Sequence, residues 1–209
     1  MSAGYFISLE GGEGTGKSTQ SALLVEKLKN AGRQVVETRE PGGSEGAEKI
    51  RNLLVTGNPK NWSPVAEALL ISAAREDHLR RIIAPAIENG KFVICDRFID
   101  STAAYQGIGG GVSAELLKAL EIHVVGKFIP DLTLIFDLDP QTGLERAKAR
   151  AQGGEDRFEA KGLAYHQKIR QAFIDIAQEY PERCVIVDAS LGVNDIEDLV
   201  WQIVSDRLL

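Results

Sequence analysis

Residues 11–18 read Gly-Gly-Glu-Gly-Thr-Gly-Lys-Ser, which fits the pattern glycine, any four residues, then Gly-Lys-Ser/Thr. The glycines allow the backbone to curl into a concave set of N–H groups that binds phosphate oxygens. In this pattern Lys17 reaches the β- and γ-phosphates of a nucleotide, and the hydroxyl of Ser18 binds Mg²⁺. The stretch therefore predicts a phosphate-binding loop.

The sequence on either side of this loop supports the same interpretation. Residues 5–9 (Tyr-Phe-Ile-Ser-Leu) form a short apolar run typical of a buried strand. Residues 17–31 carry apolar side chains at helical spacing, and Gly32 follows where a C-terminal cap is expected. Strand, glycine loop and helix is the arrangement that the motif requires.

Apolar segments with the length of strands alternate with helical patterns along the chain. Most of them are continuous apolar runs, which is typical of a parallel sheet covered by helices on both faces. We therefore predict an α/β fold, a three-layer α/β/α domain with a five-stranded parallel sheet and ligands at the carboxyl ends of its strands. The predicted strands are residues 5–9, 34–38, 92–95, 132–137 and 184–187.

Several helix starts carry recognisable capping signals. Ser63 and Asp139 each precede a proline, which suits a capping side chain followed by the first helical position. Asn194 with Glu197 predicts a capping box for a C-terminal helix.

Length and composition indicate a single domain over residues 1–209. The net charge of −6 argues against broad electrostatic attraction to nucleic acid or to an anionic membrane, so neither is expected as a partner. No stretch resembles a signal peptide or approaches the length of a membrane span, so a cytoplasmic protein is expected. The two cysteines, Cys95 and Cys184, lie in apolar runs and are expected to be buried thiols.

Polar residues follow the second and third predicted strands. Arg39 precedes a Pro-Gly-Gly turn, and it suits either a bidentate phosphate contact or a salt bridge to a nearby carboxylate. Asp96 directly follows the third predicted strand, the position of an acidic residue that binds Mg²⁺ directly or through water in such folds. Arg97 follows it and suits the same acceptor phosphate as Arg39.

A glycine-rich, basic segment covers about residues 146–158 and includes Arg146 and Arg150. Beside a phosphate site such a segment favours a lid that closes over the triphosphate, although a solvated basic helix end is the alternative. Outside these segments, His78, His123 and His166 lack metal-ligand spacing and are expected on helix surfaces or partly packed.

Two arginines beside a phosphate loop imply a second anion site, and hence phosphoryl transfer between a donor and an acceptor. At this point the chain resembles the bacterial thymidylate kinase family, within the P-loop nucleoside monophosphate kinases, over essentially its whole length. The loop alone is shared by many enzymes, but its combination with Arg-Glu-Pro-Gly-Gly, Asp-Arg-Phe and Ala-Tyr-Gln-Gly is far more restrictive. The matching segments are residues 9–19, 38–43, 73–75, 96–98, 101–107, 130–133, Arg150 and 156–159.

The resemblance implies transfer of the γ-phosphoryl group of ATP to dTMP with Mg²⁺, by a homodimer of the lid-arginine form. Catalysis is assigned to Lys17, Arg97 and Arg150, and the metal to Ser18 and Asp96. ATP binding is assigned to Gly11, Gly12, Glu13, Gly14, Thr15, Gly16, Lys17, Ser18, Thr19, Arg146 and Arg150. Binding of dTMP is assigned to Glu13, Arg39, Ile71, Arg75, Arg97, Phe98, Ser101, Tyr105 and Gln106.

One position departs from the family pattern. The family commonly places a phenylalanine that stacks on thymine four residues before the base-reading arginine, here Arg75, and this chain has Ile71 there. Either base binding is weaker, or Phe98 or Tyr105 supplies the ring.

Three other functions remain open from the sequence: a kinase for another nucleoside monophosphate, a nucleotide-dependent switch and a degenerate binding module. A switch is disfavoured because the chain lacks an Asn-Lys-x-Asp guanine motif and carries the acceptor arginines Arg39 and Arg97. A degenerate module is disfavoured because Lys17, Ser18, Asp96 and Arg150 are all present.

Overall fold

The computed structural model describes residues 4–56, 61–150 and 161–209, with residue 150 described by its backbone alone. Within these residues five parallel strands form one sheet in the order β2-β3-β1-β4-β5. The strands are β1 (Phe6–Gly11), β2 (Val35–Arg39), β3 (Phe92–Asp96), β4 (Leu132–Asp137) and β5 (Cys184–Asp188). The predicted five-stranded parallel sheet is confirmed.

Helices connect and cover the strands. Three π-helical segments, Leu79–Ile83, Ala103–Ile108 and Glu121–Val125, continue α-helices within the described residues. The α-helices are α1 (Lys17–Asn30), α2 (Glu45–Val55), α3 (Pro64–His78), α4 (Ala84–Glu88), α5 (Ile99–Thr102), α6 (Ala114–Leu120), α7 (Pro140–Arg150), α8 (Leu163–Glu179) and α9 (Val193–Leu208).

Apolar side chains pack on both faces of the sheet. Successive strand residues point to opposite faces, so each strand contributes side chains to both. On one face α1 and α9 pack against β1 and β4, and this cluster includes Leu24, Leu28, Ile196, Val200, Ile7 and Leu134. On the other face the π-helical segments, α4, α5 and α8 cover the sheet, with Phe6, Val93, Ile83, Ile135, Ile169 and Phe173. The predicted three layers are therefore present.

The parallel strands bring three chain segments together at one edge of the sheet. Leu9 of β1 lies beside Asp96 of β3, which in turn lies beside Arg39 of β2. The residues that follow these strands therefore begin at neighbouring positions, and they form the site described below.

Two of the predicted capping signals are confirmed. The Oγ of Ser63 accepts a 3.2 Å hydrogen bond from the N–H of Ala66, and Oδ1 of Asp139 accepts a 3.1 Å bond from that of Thr142.

The predicted capping box at Asn194 is wrong. The N-cap of α9 is Gly192, so that Asn194 is already helical, and the side chain of Glu197 pairs with Lys27 of α1 at 3.2 Å.

Cys95 and Cys184 are buried free thiols in β3 and β5, as predicted. In the ranges that the structure describes, no helix is both long enough and apolar enough to cross a bilayer.

Candidate active site

The phosphate-binding loop joins β1 directly to α1. Gly14 and Gly16 have φ angles of 68° and 89°, in the left-handed region that glycine adopts readily. The Nζ of Lys17 lies across the loop and donates to the carbonyls of Gly11 at 3.1 Å and Gly12 at 2.7 Å. Burial and the nearby charge of Arg97 lower the pKa of Lys17 to about 8. The loop therefore carries a buried ammonium group at its centre.

The loop also lies against the first turns of α7. A Cβ on Gly14 would lie 1.9 Å from the carbonyl oxygen of Gly143, and one on Gly143 would lie 2.4 Å from that of Glu13. Both contacts are with backbone atoms, which cannot move as the end of a flexible side chain can. Only glycine fits at either position.

Ser18 and Asp96 meet where the loop approaches the end of β3. The hydroxyl of Ser18 donates a 2.9 Å hydrogen bond to Oδ2 of Asp96. The other oxygen, Oδ1, is buried without a hydrogen-bond partner among the described residues. A hydroxyl beside a carboxylate with an unused oxygen fits the oxygen ligands that Mg²⁺ prefers.

Arg97 is held in an unusual backbone conformation and by several hydrogen bonds. Its φ of 68° is left-handed, which is uncommon for a residue other than glycine. One guanidinium nitrogen donates to the carbonyl of Gly11 at 3.0 Å and to the hydroxyl of Ser101 at 3.2 Å, and the other donates to Glu13 at 2.9 Å. The side chain of Arg97 is 20% exposed, so the guanidinium is largely fixed.

Glu13 accepts from two residues of the predicted acceptor site. Its Oε1 receives hydrogen bonds from Arg97 at 2.9 Å and from the hydroxyl of Tyr105 at 3.1 Å. Burial opposes ionisation, but the charges of Arg97 and Lys17 hold the pKa of Glu13 below its usual value. Glu13 is therefore an ionised carboxylate on the side of the phosphate loop that faces the predicted acceptor site.

A second buried network surrounds Arg75. Its Nε donates a 2.7 Å hydrogen bond to Glu40, and another guanidinium nitrogen donates to the hydroxyl of Thr102 at 3.0 Å. The ring of His78 links Glu40 at 3.1 Å with Thr38 at 2.7 Å. The expectation that His78 lies on the helix surface or is partly packed is wrong, because its side chain is fully buried.

The other two histidines differ from each other. His166 is 5% exposed, so the expectation of a surface or partly packed position is wrong for it as well. His123 is exposed, as expected.

The phosphate loop and the predicted acceptor residues line a single cavity of about 370 Å³. Its lining includes Lys17, Ser18 and Asp96 from the donor side. All the residues assigned to dTMP also line it: Glu13, Arg39, Ile71, Arg75, Arg97, Phe98, Ser101, Tyr105 and Gln106.

Some predicted residues lie apart from this cavity. Gly11, Gly12 and Thr19 do not line it, and Arg146 of α7 donates to the carbonyl of Ala189 at 3.1 Å. Residues 151–158 of the predicted lid and the side chain of Arg150 lie outside the described residues.

Each ring proposed to replace the missing phenylalanine is buried and already has an arginine over one face. Phe98 is 0% exposed, with the guanidinium of Arg75 4.8 Å from its ring centroid. Tyr105 is 7% exposed, with the guanidinium of Arg97 5.1 Å from its centroid. Each ring is thus already in contact with an arginine.

The sequence reasoning missed four buried carboxylates in or near the cavity wall: Glu10, Glu40, Asp100 and Glu67. Of the first three, Glu40 lines the cavity and pairs with Arg75, Glu10 bonds to Phe98 and Ser101, and Asp100 pairs with Arg183. Glu10 carried a usable signal, since an acidic residue between an apolar strand and a glycine loop must find partners inside the fold. Glu67 is also buried and accepts a 3.3 Å hydrogen bond from Gln106.

One site thus contains the donor loop, the candidate metal pair and the acceptor arginines. The family model for thymidylate kinase matches residues 9–200 of the chain. The chain belongs to the thymidylate kinase family. The thymidylate kinase of Caulobacter vibrioides is 53% identical over 208 residues, covering 100% of this chain and 99% of that protein. The thymidylate kinase of Jannaschia sp. is 52% identical over 203 residues, with 97% of each chain covered.

A solved structure extends the family comparison to the fold. The crystal structure of thymidylate kinase from Ehrlichia chaffeensis matches with a TM-score of 0.80 at 34% identity, covering 97% of this chain and 100% of that one. The similarity in fold therefore extends over nearly the whole of both chains.

Proposed function

We propose that this kinase transfers the γ-phosphoryl group of ATP to dTMP, giving dTDP and ADP. The observation that carries the proposal is that the phosphate loop and the arginines Arg39 and Arg97 line one cavity. Hydrolysis alone needs no second anion site, whereas transfer between nucleotides does.

The donor side would hold the ATP phosphates on the N–H groups of residues 12–18 and the N-terminus of α1. Lys17 would follow the charge that develops toward the β–γ bridge. Mg²⁺ would be held by Ser18 and Asp96, directly or through water, and would neutralise phosphate charge.

The acceptor side would orient the dTMP phosphate with two arginines that differ in how firmly they are held. Arg97 is largely buried and fixed by Glu13, Gly11 and Ser101. The side chain of Arg39 is 53% exposed and pairs with Glu48 at 3.1 Å, so it would share its charge between that carboxylate and the phosphate. No general base is required, because a phosphate monoester with a second pKa near 6 is already ionised at neutral pH.

The base would lie toward Arg75, Gln106 and Ile71, which line the same cavity. Arg75 has one guanidinium nitrogen bonded to Glu40 and another bonded to Thr102, so its orientation is set before a base arrives. Since Phe98 and Tyr105 already contact arginines, Ile71 would supply the apolar contact to thymine.

The remaining expectations are part of the same proposal. Residues 1–209 would form one domain with a lid over about 146–158, in which Arg146 and Arg150 contact ATP and Arg150 stabilises the transferring phosphoryl group. A homodimer is also proposed, from family resemblance, and so is a cytoplasmic location, which the sequence led us to expect.

A coupled assay of ADP release with ATP, Mg²⁺ and a panel of nucleoside monophosphates tests the function. We expect turnover only when an acceptor is present, with dTMP preferred. A single methyl group distinguishes dTMP from dUMP and is worth about 10–200-fold in kcat/KM, so measurable activity on dUMP is expected. ADP release without an acceptor, or a preference for another base, would contradict the proposal.

A further inference from the structure

We propose that Glu10 is a positioning residue that holds Arg97 in the orientation needed to bind the acceptor phosphate. The inference rests on the proposed function, since Arg97 is taken as a ligand of the dTMP phosphate. Glu10 ends the apolar run of β1 and is fully buried. It does not line the cavity, so it acts through other residues.

Glu10 contacts the segment that carries Arg97 at two points. Its Oε1 accepts a 2.7 Å hydrogen bond from the N–H of Phe98, and its Oε2 accepts a 2.6 Å bond from the hydroxyl of Ser101. The first bond holds the backbone directly after Arg97. The second holds a hydroxyl that itself contacts the guanidinium of Arg97 at 3.2 Å.

The direction of these hydrogen bonds follows from the chemistry of the donors. A guanidinium group only donates, so the oxygen of Ser101 accepts from Arg97 and its proton is directed to Glu10. The N–H of Phe98 also only donates. Both oxygens of Glu10 are therefore acceptors, an arrangement that suits the ionised carboxylate.

The backbone conformation of Arg97 explains why these hydrogen bonds to Glu10 are needed. A φ of 68° is disfavoured for a residue with a Cβ, and it persists only where neighbouring contacts enforce it. The N–H of Arg97 donates to the carbonyl of Leu9 at 2.9 Å, immediately before Glu10. Leu9 and Glu10, two consecutive residues of β1, therefore accept hydrogen bonds from the N–H groups of Arg97 and Phe98.

The surroundings of Glu10 make its hydrogen bonds to Phe98 and Ser101 sensitive to protonation of its carboxylate. Burial and the charge of Asp100 raise the pKa of Glu10 to about 7, although Asp100 is itself paired with Arg183 at 2.8 Å. A proton on Glu10 removes one of its two acceptor positions and weakens the hold on Arg97. The titratable groups that act on Glu10 from the surrounding elements are Asp100, Arg97, Lys17, Arg183, Cys95 and Cys184.

The test is a double-mutant cycle between Glu10→Gln and Arg97→Ala, read as the Kd for dTMP by calorimetry without ATP or Mg²⁺. Glutamine keeps the volume but offers one acceptor oxygen, so it cannot accept from both Phe98 and Ser101. We expect E10Q alone to raise the Kd for dTMP about tenfold, since a hydrogen bond to a charged group is lost. In the R97A background E10Q should change that Kd by less than about twofold, because coupled residues are not additive.

Two controls separate positioning from general damage. The Kd for a non-hydrolysable ATP analogue should be the same in E10Q and the wild type. Asp131→Asn is the matched control, because Asp131 also accepts a backbone N–H, that of Phe6 at 2.7 Å, at the opposite end of β1. It should leave the binding of dTMP unchanged.

The pH dependence adds a readout that a purely structural role would not change. The Kd of the wild type should rise more steeply from pH 8 to pH 6 than that of E10Q, while the titration of the dTMP phosphate is common to both. If E10Q does not fold, Glu10→Asp, which keeps the charge on a side chain one methylene shorter, replaces it in the cycle. A smaller effect of E10D in the R97A background than in the wild type then supports the positioning role of Glu10, and equal effects contradict it.

The proposal on Glu10 fails if E10Q binds dTMP as the wild type does, or if its effect adds fully to that of R97A. A wild-type protein that neither binds dTMP nor shows acceptor-dependent turnover would instead refute the proposed function. The two failures are therefore distinguishable.

Discussion

The Nε of Arg75 donates a 2.7 Å hydrogen bond to Oε2 of Glu40, and their side chains are 5% and 3% exposed. The other oxygen of Glu40 contacts His78, so both oxygens are used inside the protein. Arg75 therefore reaches the cavity from a fixed, desolvated position and not as a mobile surface cation.

Replacement of Glu40 by glutamine should destabilise the fold and weaken dTMP binding together. Removal of one partner of a buried ion pair leaves an uncompensated charge, at a cost of about 3–5 kcal/mol in the free energy of unfolding. Urea unfolding and calorimetry with dTMP measure the two effects. Glu45→Gln is the control, because Glu45 forms an exposed pair with Lys49, and no measurable change is expected. A stable E40Q variant with unchanged dTMP affinity would show that Arg75 does not need this partner.

Replacement of Ile71 by phenylalanine should tighten dTMP binding. Ile71 lines the cavity, and Phe98 and Tyr105 each already have an arginine over one ring face. Stacking of a base on an aromatic ring is worth about 1–3 kcal/mol, so the Kd for dTMP should fall by roughly tenfold in I71F. Ile71→Leu, which adds no ring, should leave it unchanged. Weaker binding in I71F would show that the base lies elsewhere or that the cavity is too small for the ring.

Removal of the hydroxyl of Ser18 should raise the requirement for Mg²⁺. We expect Ser18→Ala to increase the Mg²⁺ concentration for half-maximal turnover about tenfold. The loss of a side chain that supports a metal site typically lowers the affinity for the metal about 10–100-fold. Ser21→Ala is the matched control, because Ser21 of α1 donates a 2.7 Å hydrogen bond to the carboxylate of Glu37, away from the cavity. An unchanged Mg²⁺ titration in S18A would remove Ser18 from the metal site.

The affinity for ATP should fall at alkaline pH. In the free protein the pKa of Lys17 is about 8, below the usual value for lysine, so the side chain loses its proton as the pH rises through that value. Phosphate oxygens favour the charged form, and binding must then take up a proton. If only that form binds, the Kd for ATP should rise about tenfold between pH 7 and pH 9, as the protonated fraction falls. Lys17→Arg keeps its charge throughout this range, and its Kd should therefore stay flat. A wild-type Kd that is constant to pH 9 would contradict the role of Lys17.

The fold could be predicted because its signals are local. Most strands are continuous apolar runs, and the glycine loop fixes where the first strand ends and the first helix begins. The strand ends then place Arg39, Asp96 and Arg97 side by side, since parallel strands share an edge. These signals require no knowledge of distant contacts.

The buried network behind the cavity could not be predicted in the same way. His78 has the sequence context of a helix-surface residue, yet it is buried because Thr38 and Glu40, about 40 residues earlier, pack against it. Asn194 carries a good capping signal, but α9 begins at Gly192 and Glu197 is taken by Lys27 of another helix. In both cases a tertiary contact decides the outcome.

The close approach of Gly14 and Gly143 has a consequence for protein engineering. Gly14 leaves room for the carbonyl of Gly143, and Gly143 leaves room for the carbonyl of Glu13. The phosphate loop and the start of α7 therefore fit only each other's backbone. A donor loop transplanted from a distant relative would fit this scaffold only if its counterpart helix came with it. Chimeras that respect this boundary should remain functional, and those that split it should not.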